Sequence, residues 1–275
     1  MAGVTTADHA SASQLGAAIQ AAERRQRRRW RLAFVIVWMV ILTGLVAFIF
    51  GTIKLNAVFL TKSIPYILAG VPITLFVSFV SITIAIFLAV LGALGRLSRN
   101  PIANGIASFY VSFFRGTPLL LQILFLYLAL PQAGIVIPEV PTGILALGFN
   151  YGAYMTEIFR AGIQAVPSGQ TEAAHSLGMG GRTTFRRIVL PQAFRIVTPA
   201  IGNDFIAMLK DSSLVSTIGV QEILYRAQVI GRPTFQSMQT LLVAAVVYWV
   251  MTILFSVLQN RLERRMAVGD RARPA

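Results

Sequence analysis

Long apolar runs separated by short polar segments dominate this chain. The first uncharged run extends from Leu32 to Ile53 and is followed by five more. At about 1.5 Å of rise per residue, a helix of such length crosses a hydrocarbon core of about 30 Å. The runs are too long for barrel strands, and lipid admits only helices or closed barrels. The pattern predicts an all-α integral membrane protein with about six transmembrane helices.

The second apolar run begins with two prolines. It lies between Lys62 and Arg96, and Pro65 and Pro72 stand near its beginning. Proline removes a backbone donor and its ring clashes with the preceding turn. We therefore expect a kinked or non-helical start and a spanning part at about residues 71–94, in which the small residues 92–95 allow close helix packing.

Proline also marks the third run, which covers about residues 102–130. Pro118 follows Arg115 inside it and predicts a kink, and the prolines of 131–141 predict an extended loop.

The fifth span is short, and we expect the KDSSL sequence after it to lie within the membrane thickness, facing a cavity. The remaining spans are expected at residues 142–159, 191–209 and 240–259, with a short helix and its connection at 214–231.

Composition supports the membrane class. Hydrophobic residues make up 56% of the 275 residues and charged residues only 12%, about half the usual charged fraction of a soluble domain. The net charge of +14 would suit nucleic acid, but the arginines flank apolar runs, as in 24-RRQRRRWR-31. That placement indicates cytoplasmic anchoring rather than nucleic-acid binding. Cysteine is absent, which excludes disulfides, thiolate metal ligands and a cysteine nucleophile.

Six spans place both termini on one side, and the arginine-rich ends assign that side to the cytoplasm. We expect residues 1–31 to form a mobile, basic cytoplasmic tail and residues 263–275 a second tail. The run at 32–53 starts too far from the initiator Met for a signal peptide, so it is interpreted as a retained transmembrane helix.

One polar segment interrupts the apolar pattern: EAAHSLGMGGRTTFRRIVLP, residues 172–191. Ser168 suits a helix N-cap, and Gly178 suits a helix end. A second short helix is expected at 182–190, with Pro191 in the first turn of the next span. Two short helices with a small-residue surface let a partner approach closely. The alternative is an amphipathic loop lying on the membrane surface.

The segment resembles the EAA loop of ABC importer permeases. That pattern is E-A-A, three residues, G, nine residues, I, one residue, L-P. Its fixed positions are all present as Glu172, Ala173, Ala174, Gly178, Ile188, Leu190 and Pro191. FFRGTPLLLQ at 113–122 and MLKDSSLVSTIG at 208–219 resemble the polar amino acid branch of this family. The resemblance covers residues 64–262 and leaves out the helix at 32–53, because that branch commonly has five core helices.

The resemblance implies a mechanism and a set of partners. Residues 167–191 would form the coupling loop, seated in a groove of a separate dimeric ATPase, with Glu172 in polar contact and Gly178 permitting close approach. An extracytoplasmic solute-binding protein would deliver a polar amino acid or similar small polar solute. A second permease subunit, identical or different, would complete the pore in the cytoplasmic (inner) membrane of a prokaryote, surrounded by lipid.

The chain lacks its own energy source. Its nearest approach to a phosphate-binding loop, 178-GMGGRTT-184, has neither the required spacing nor the lysine. We therefore expect no bound ATP, cofactor or metal, no catalytic residues, and no enzymatic activity in this chain. ATP and Mg²⁺ would bind the partner ATPase. The two histidines, His9 and His175, are isolated and form no metal site.

Polar and charged residues within apolar runs are candidates for the substrate pathway, since an ionisable group at membrane depth normally faces a cavity or a partner. Structural roles are equally open: a Glu157–Arg160 pair, a Lys210–Asp211 pair that pins a helix end, and a packing role for Arg115 at the kink. The candidates are Arg115, Glu157, Asn203, Asp204, Lys210 and Asp211.

Two other functions compete with the importer. A stand-alone secondary transporter or channel would show inverted repeats or self-contained ion sites, and neither is evident. An intramembrane enzyme would need a catalytic constellation, which the sequence does not supply.

Overall fold

The computed structural model describes residues 6–52 and 55–267, and this part of the chain contains helices and no strand. The chain divides into two units, Met1–Asn56 and Ala57–Ala275. The first unit contains one helix, α1, at Thr6–Thr52. The end of the predicted first span, Ile53, lies outside the described residues.

Helix α1 begins well before the predicted first span. The segment up to residue 31, expected as a mobile tail, is helical from Thr6 onward. It lacks proline and is rich in Ala, Gln and Arg, which are strong helix formers. The candidate membrane span within α1 is Arg25–Ile49, and no residue of its most apolar part is buried.

The second unit contains ten helices in the described residues. The first five are α2 (Ala57–Leu68), α3 (Val71–Leu97), α4 (Pro101–Gly116), α5 (Leu119–Ala129) and α6 (Glu139–Gln164). The others are α7 (Ser168–Ser176), α8 (Gly181–Thr184), α9 (Leu190–Asp211), α10 (Ile223–Gly231) and α11 (Ser237–Ala267). Two 3₁₀ segments, Pro131–Ala133 and Ser212–Ile218, connect longer helices.

Length and hydropathy mark three helical spans among the described residues, or four when a bent pair is counted as one. The three are Arg25–Ile49, Ala57–Leu97 and Ser237–Arg265. Helices α6 and α9 are more polar, but their 26 and 22 residues correspond to about 39 and 33 Å, long enough to cross a bilayer. The architecture agrees with about six spans.

The predicted irregular start of the second span is wrong in part. Residues 57–68 are helical with Pro65 inside α2, and the break comes at 69–70. A Cβ on Gly70 would lie 2.7 Å from the backbone of Glu222 and Ile223. Pro72 then occupies the first turn of α3, where its missing N–H costs nothing.

Helices α3 and α6 form the centre of the second unit. Val77 and Ala85 of α3 and Leu147 and Met155 of α6 are fully buried in one apolar core. The two helices approach closely at Gly92, where an added Cβ would lie 2.3 Å from the Thr156 hydroxyl oxygen. This contact confirms the predicted close packing around residues 92–95.

The third span is more strongly bent than predicted. The sequence predicts a kink at Pro118, whereas α4 and α5 meet at 105°. Thr117, which precedes the proline, is extended at φ −118° and ψ 144°, as steric contact with a following proline favours. The Gln122 amide caps the break by donating to the carbonyl oxygens of Phe114 and Thr117 at 2.9 and 3.0 Å.

Candidate functional site

The polar segment forms a short helix held by backbone geometry. Helix α7 follows α6 after three residues, and Pro167 is its N-cap. The predicted N-cap at Ser168 is wrong by one position, because Ser168 is already helical. At the other end Gly178 adopts φ +78°, and its N–H donates to the His175 carbonyl at 2.9 Å. The Met179 N–H donates to the Ala174 carbonyl at 3.0 Å. These two bonds form a Schellman motif, which confirms Gly178 as the helix end.

One side of α7 faces away from the protein. Glu172, Ala173 and His175 are exposed, and the Leu177 side chain is 83% exposed. No hydrogen bond or ion pair of the Glu172 carboxylate exists within the part of the chain that the structure describes. The surface therefore combines an exposed leucine, an unpaired carboxylate and a glycine with positive φ. Such a surface is suited to binding a partner protein.

The opposite side of α7 is fixed to the protein. Ala174 is buried, and Val166, Val189 and Ala193 form a small apolar cluster beneath the segment, with Ile163 and Phe185 packed against it. The cluster joins the end of α6 to the start of α9. The position of α7 is therefore coupled to both long helices.

A separate helix at 182–190, as the sequence predicts, is not what the structure contains. The chain is continuously helical from Gly181 to Asp211, through a π-helical turn at Phe185–Val189 in which the Leu190 N–H bonds the Phe185 carbonyl. Pro191 lies in the first turn of α9 as predicted. It has no N–H and its ring would crowd the carbonyl four residues earlier, which explains the wider turn. Ile188 is half-buried, and Leu190 and Pro191 are exposed.

Glu157 belongs to an ion cluster on α6, two helical turns before that helix ends at Gln164. Its carboxylate pairs with Arg160 at 2.7 Å, which confirms the predicted local pair, and with Arg96 of α3 at 3.2 Å. The same Arg96 guanidinium donates to Ser108 of α4, and Arg160 donates to Gln164 at 2.7 Å. The sequence indicated Arg96 only as the end of the second apolar run and did not predict its contact with Glu157, because the two residues are 61 positions apart.

A second polar group lies between α6 and α9. The Tyr151 hydroxyl donates to Asp211 at 2.7 Å. Asp204 lies seven residues before Asp211, on the same face of α9. Its Oδ2 atom is buried without a hydrogen-bond partner in the described residues. Lys210 is exposed and forms no ion pair with Asp211 there.

The other two candidates have protein partners. The Arg115 guanidinium lies 5.2 Å from the centre of the Tyr154 ring, within the range of a cation–π contact. Asn203 accepts a hydrogen bond from Gln259 of α11 at 3.0 Å. Tyr151 and Tyr154 occupy successive turns of α6, and the sequence did not single them out, since tyrosine within an apolar run resembles a packing residue.

The chain resembles amino acid permeases over most of its length. A sequence profile for binding-protein-dependent transport system inner membrane components matches residues 81–268. A probable amino-acid permease of Bacillus subtilis is 38% identical over 215 residues, covering 76% of this chain and 95% of that protein. The arginine transport system permease of the same organism is 38% identical over 208 residues, covering 75% of this chain and 95% of that one.

The chain also resembles solved structures of ABC transporters. A crystal structure of an amino acid ABC transporter with histidines shares 39% identity and a TM-score of 0.73, over 78% of this chain and all of that chain. The MetNI methionine ABC transporter shares only the fold, at 18% identity and a TM-score of 0.55, over 76% of this chain and 96% of that chain. The chain therefore belongs to the family of binding-protein-dependent transport system inner membrane components, the permease subunits of ABC transporters.

Proposed function

We propose that this chain is the membrane-spanning subunit of an ATP-driven importer for a polar amino acid or a similar small polar solute. The observation that carries the proposal is the outward face of α7. It exposes the unpaired Glu172 carboxylate, the Leu177 side chain and the Gly178 backbone, in a segment with every fixed position of the EAA pattern. The arginine permease named above and the amino acid transporter structure support the substrate class.

In this proposal a separate dimeric ATPase binds α7 and supplies the energy. ATP and Mg²⁺ bind to that ATPase, and this chain binds no cofactor and catalyses no reaction. Glu172 makes a polar contact with the ATPase, and the bare backbone of Gly178 lets it approach closely. Ala173, Ala174, Ile188, Leu190 and Pro191 shape and hold the contact segment, 167–191.

The route from α7 into the membrane follows from the helical connections. Motion of α7 would move the end of α6 through the apolar cluster of Val166, Val189 and Ala193. It would also move α9, because the chain is helical throughout from Gly181 to Asp211. Helices α6 and α9 also carry the polar groups around Tyr151. The coupling segment is therefore connected to the same two helices that line the proposed pathway.

Among the pathway candidates, Asp204 and Asp211 are the best supported. Both lie on the face of α9 next to Tyr151, and one carboxylate oxygen of Asp204 has no protein partner in the described part. Arg115 and Lys210 are exposed side chains that would supply positive charge, and Asn203 an amide. Glu157 is better assigned to the ion cluster that joins α3 and α6.

The remaining partners complete the assembly. A solute-binding protein delivers the solute from outside, and a second permease subunit, identical or different, forms the other half of the pore. Both termini lie in the cytoplasm of a prokaryote, with residues 1–31 and 263–275 on that side. Residues 32–53 form a transmembrane helix in addition to the permease core of 64–262.

Reconstitution tests the proposal. The chain would be cross-linked mildly in its native membrane, captured with its partners, and returned to liposomes for uptake of labelled amino acids. We expect a captured ATPase and solute-binding protein, and uptake that needs ATP inside the liposome. Uptake driven by an ion gradient without ATP would instead establish a secondary transporter, and turnover of a solute by the chain alone would establish an enzyme.

A further inference from the structure

Helix α1 carries an unusual concentration of positive charge. Residues 23–31, ERRQRRRWR, contain six arginines, one glutamate and no lysine. The helix lies outside the part of the chain that the family profile matches, residues 81–268. The permease core therefore gives no explanation for this cluster.

The arginines form a broad cationic surface. At about 100° per helical residue, the arginines at 25, 27, 28, 29 and 31 cover roughly 200° around the axis, while Glu23, Gln26 and Trp30 occupy the remainder. Those at positions 25, 27, 28, 29 and 31 have exposed side chains. None of these five forms an ion pair within the described residues. The cluster thus presents several guanidinium groups that are free to bind anions.

The neighbouring aromatic residues indicate the depth of the cluster. Trp30 stacks on Phe34 with ring centres 5.3 Å apart, and Phe34 contacts Trp38 at 6.1 Å. Tryptophan favours the boundary between head groups and hydrocarbon. The uncharged part of α1 starts at Leu32, directly after Arg31. With the uncharged part of α1 across the bilayer, the arginines would lie at the level of the lipid phosphates.

We propose that residues 24–31 are a binding site for anionic phospholipid head groups. The planar guanidinium of arginine donates two parallel hydrogen bonds to phosphate oxygens, which the ammonium of lysine does not. Several such groups around one helix gather anionic lipids from a mixed bilayer and hold α1 at a fixed depth. The site requires neither the coupling segment nor transport, so it stands or fails independently of the importer.

Tryptophan quenching by brominated lipid tests this proposal on the full-length chain. The protein has three tryptophans, so Trp38→Phe with Trp249→Phe leaves Trp30 as the single reporter inside the cluster. The chain would be placed in phosphatidylcholine bilayers containing brominated phosphatidylglycerol, and in mixtures where the phosphatidylcholine is brominated instead. The ratio of the two quenching curves gives the association constant of the anionic lipid relative to the neutral one.

We expect a relative constant of at least about five at low salt, the contribution of one basic side chain near an anionic surface. It should fall in 1 M salt, which screens exposed charges. Arg27→Gln, Arg28→Gln and Arg29→Gln together should lower it towards one. Lysine at the same three positions should give an intermediate value, because it keeps the charge but not the paired hydrogen bonds of the guanidinium group. Trp249 as the single reporter, with Trp30→Phe and Trp38→Phe, should show no preference.

Quenching by brominated phosphatidylcholine also verifies that each variant is inserted, so a misfolded variant is recognised. A relative constant near one for the unaltered cluster would overturn the proposal and leave the arginines to an acidic partner in water. A preference that the three glutamine substitutions leave unchanged would overturn it as well, because it would then arise elsewhere in the chain.

Discussion

Arg96 at the end of α3 and Glu157 on α6 form an ion pair at 3.2 Å. Their side chains are only 30% and 19% exposed, and Glu157 also holds Arg160. Glu157 lies two turns before Gln164, where α6 ends and the connection to α7 begins. The pair thus joins two long helices close to the surface proposed to receive the ATPase.

We expect Glu157→Gln to destabilise the protein, because it leaves two half-buried guanidinium groups without their carboxylate. The loss should be on the order of 1–3 kcal/mol. Thermal unfolding in detergent would measure it, with Glu139→Gln, an exposed carboxylate at the start of the same helix, as control. Arg96→Gln and the double variant complete a mutant cycle. Strictly additive effects would argue against a coupled pair.

Gln122 should be essential for the 105° bend. Its amide nitrogen caps the end of α4, and its amide oxygen accepts from Asn150 of α6 at 3.1 Å. Gln122→Met keeps the length of the side chain but leaves these buried groups unpaired, at a cost of about 1–3 kcal/mol. Gln132→Met is the matched control, since Gln132 is exposed and forms one bond of 3.3 Å. Equal melting temperatures for the two variants would contradict this role.

Gly178→Asp should leave the permease inserted and folded but abolish its coupling to the ATPase. No atom of the residues that the structure describes lies within 4 Å of a Cβ added at this position, so we expect any obstruction to come from the partner. Gly178→Asn separates charge from conformation, because asparagine tolerates φ > 0 better than other residues. We expect solute-stimulated ATP hydrolysis to be lost with aspartate and largely kept with asparagine. Full coupling in the aspartate variant would remove Gly178 from the contact.

Asp204→Asn and Asp204→Ala should change transport if its free oxygen meets the solute. Loss of a hydrogen bond to a charged group corresponds to roughly a tenfold to hundredfold change in affinity. We expect the KM for uptake, or the solute concentration for half-maximal ATPase stimulation, to rise accordingly. Glu139→Gln provides the control for removing a carboxylate elsewhere. Unchanged kinetics would assign Asp204 to the structure alone.

The sequence predicted the class of fold and most spans because lipid leaves few alternatives. It also identified Gly178 as a helix end, since a left-handed position after a short helix strongly favours glycine. It underestimated the break at Pro118 because the Gln122 amide at the break is held in turn by Asn150, 28 residues away along the chain. The contact between Arg96 and Glu157 was hidden for the same reason. These features depend on tertiary contacts that local patterns do not encode.

The helical continuity from Gly181 to Asp211 changes how the polar segment should tolerate insertions. A surface loop usually absorbs an added or deleted residue. Here one extra residue after Gly181 would advance α9 by about 1.5 Å and rotate it by about 100°, moving Asp204 and Asp211 away from Tyr151. The nine residues between Gly178 and Ile188 therefore act as a spacer of fixed length. Their number sets the rotation of α9 about its axis. It therefore sets the direction in which a movement of α7 displaces the polar residues of α9 within the membrane.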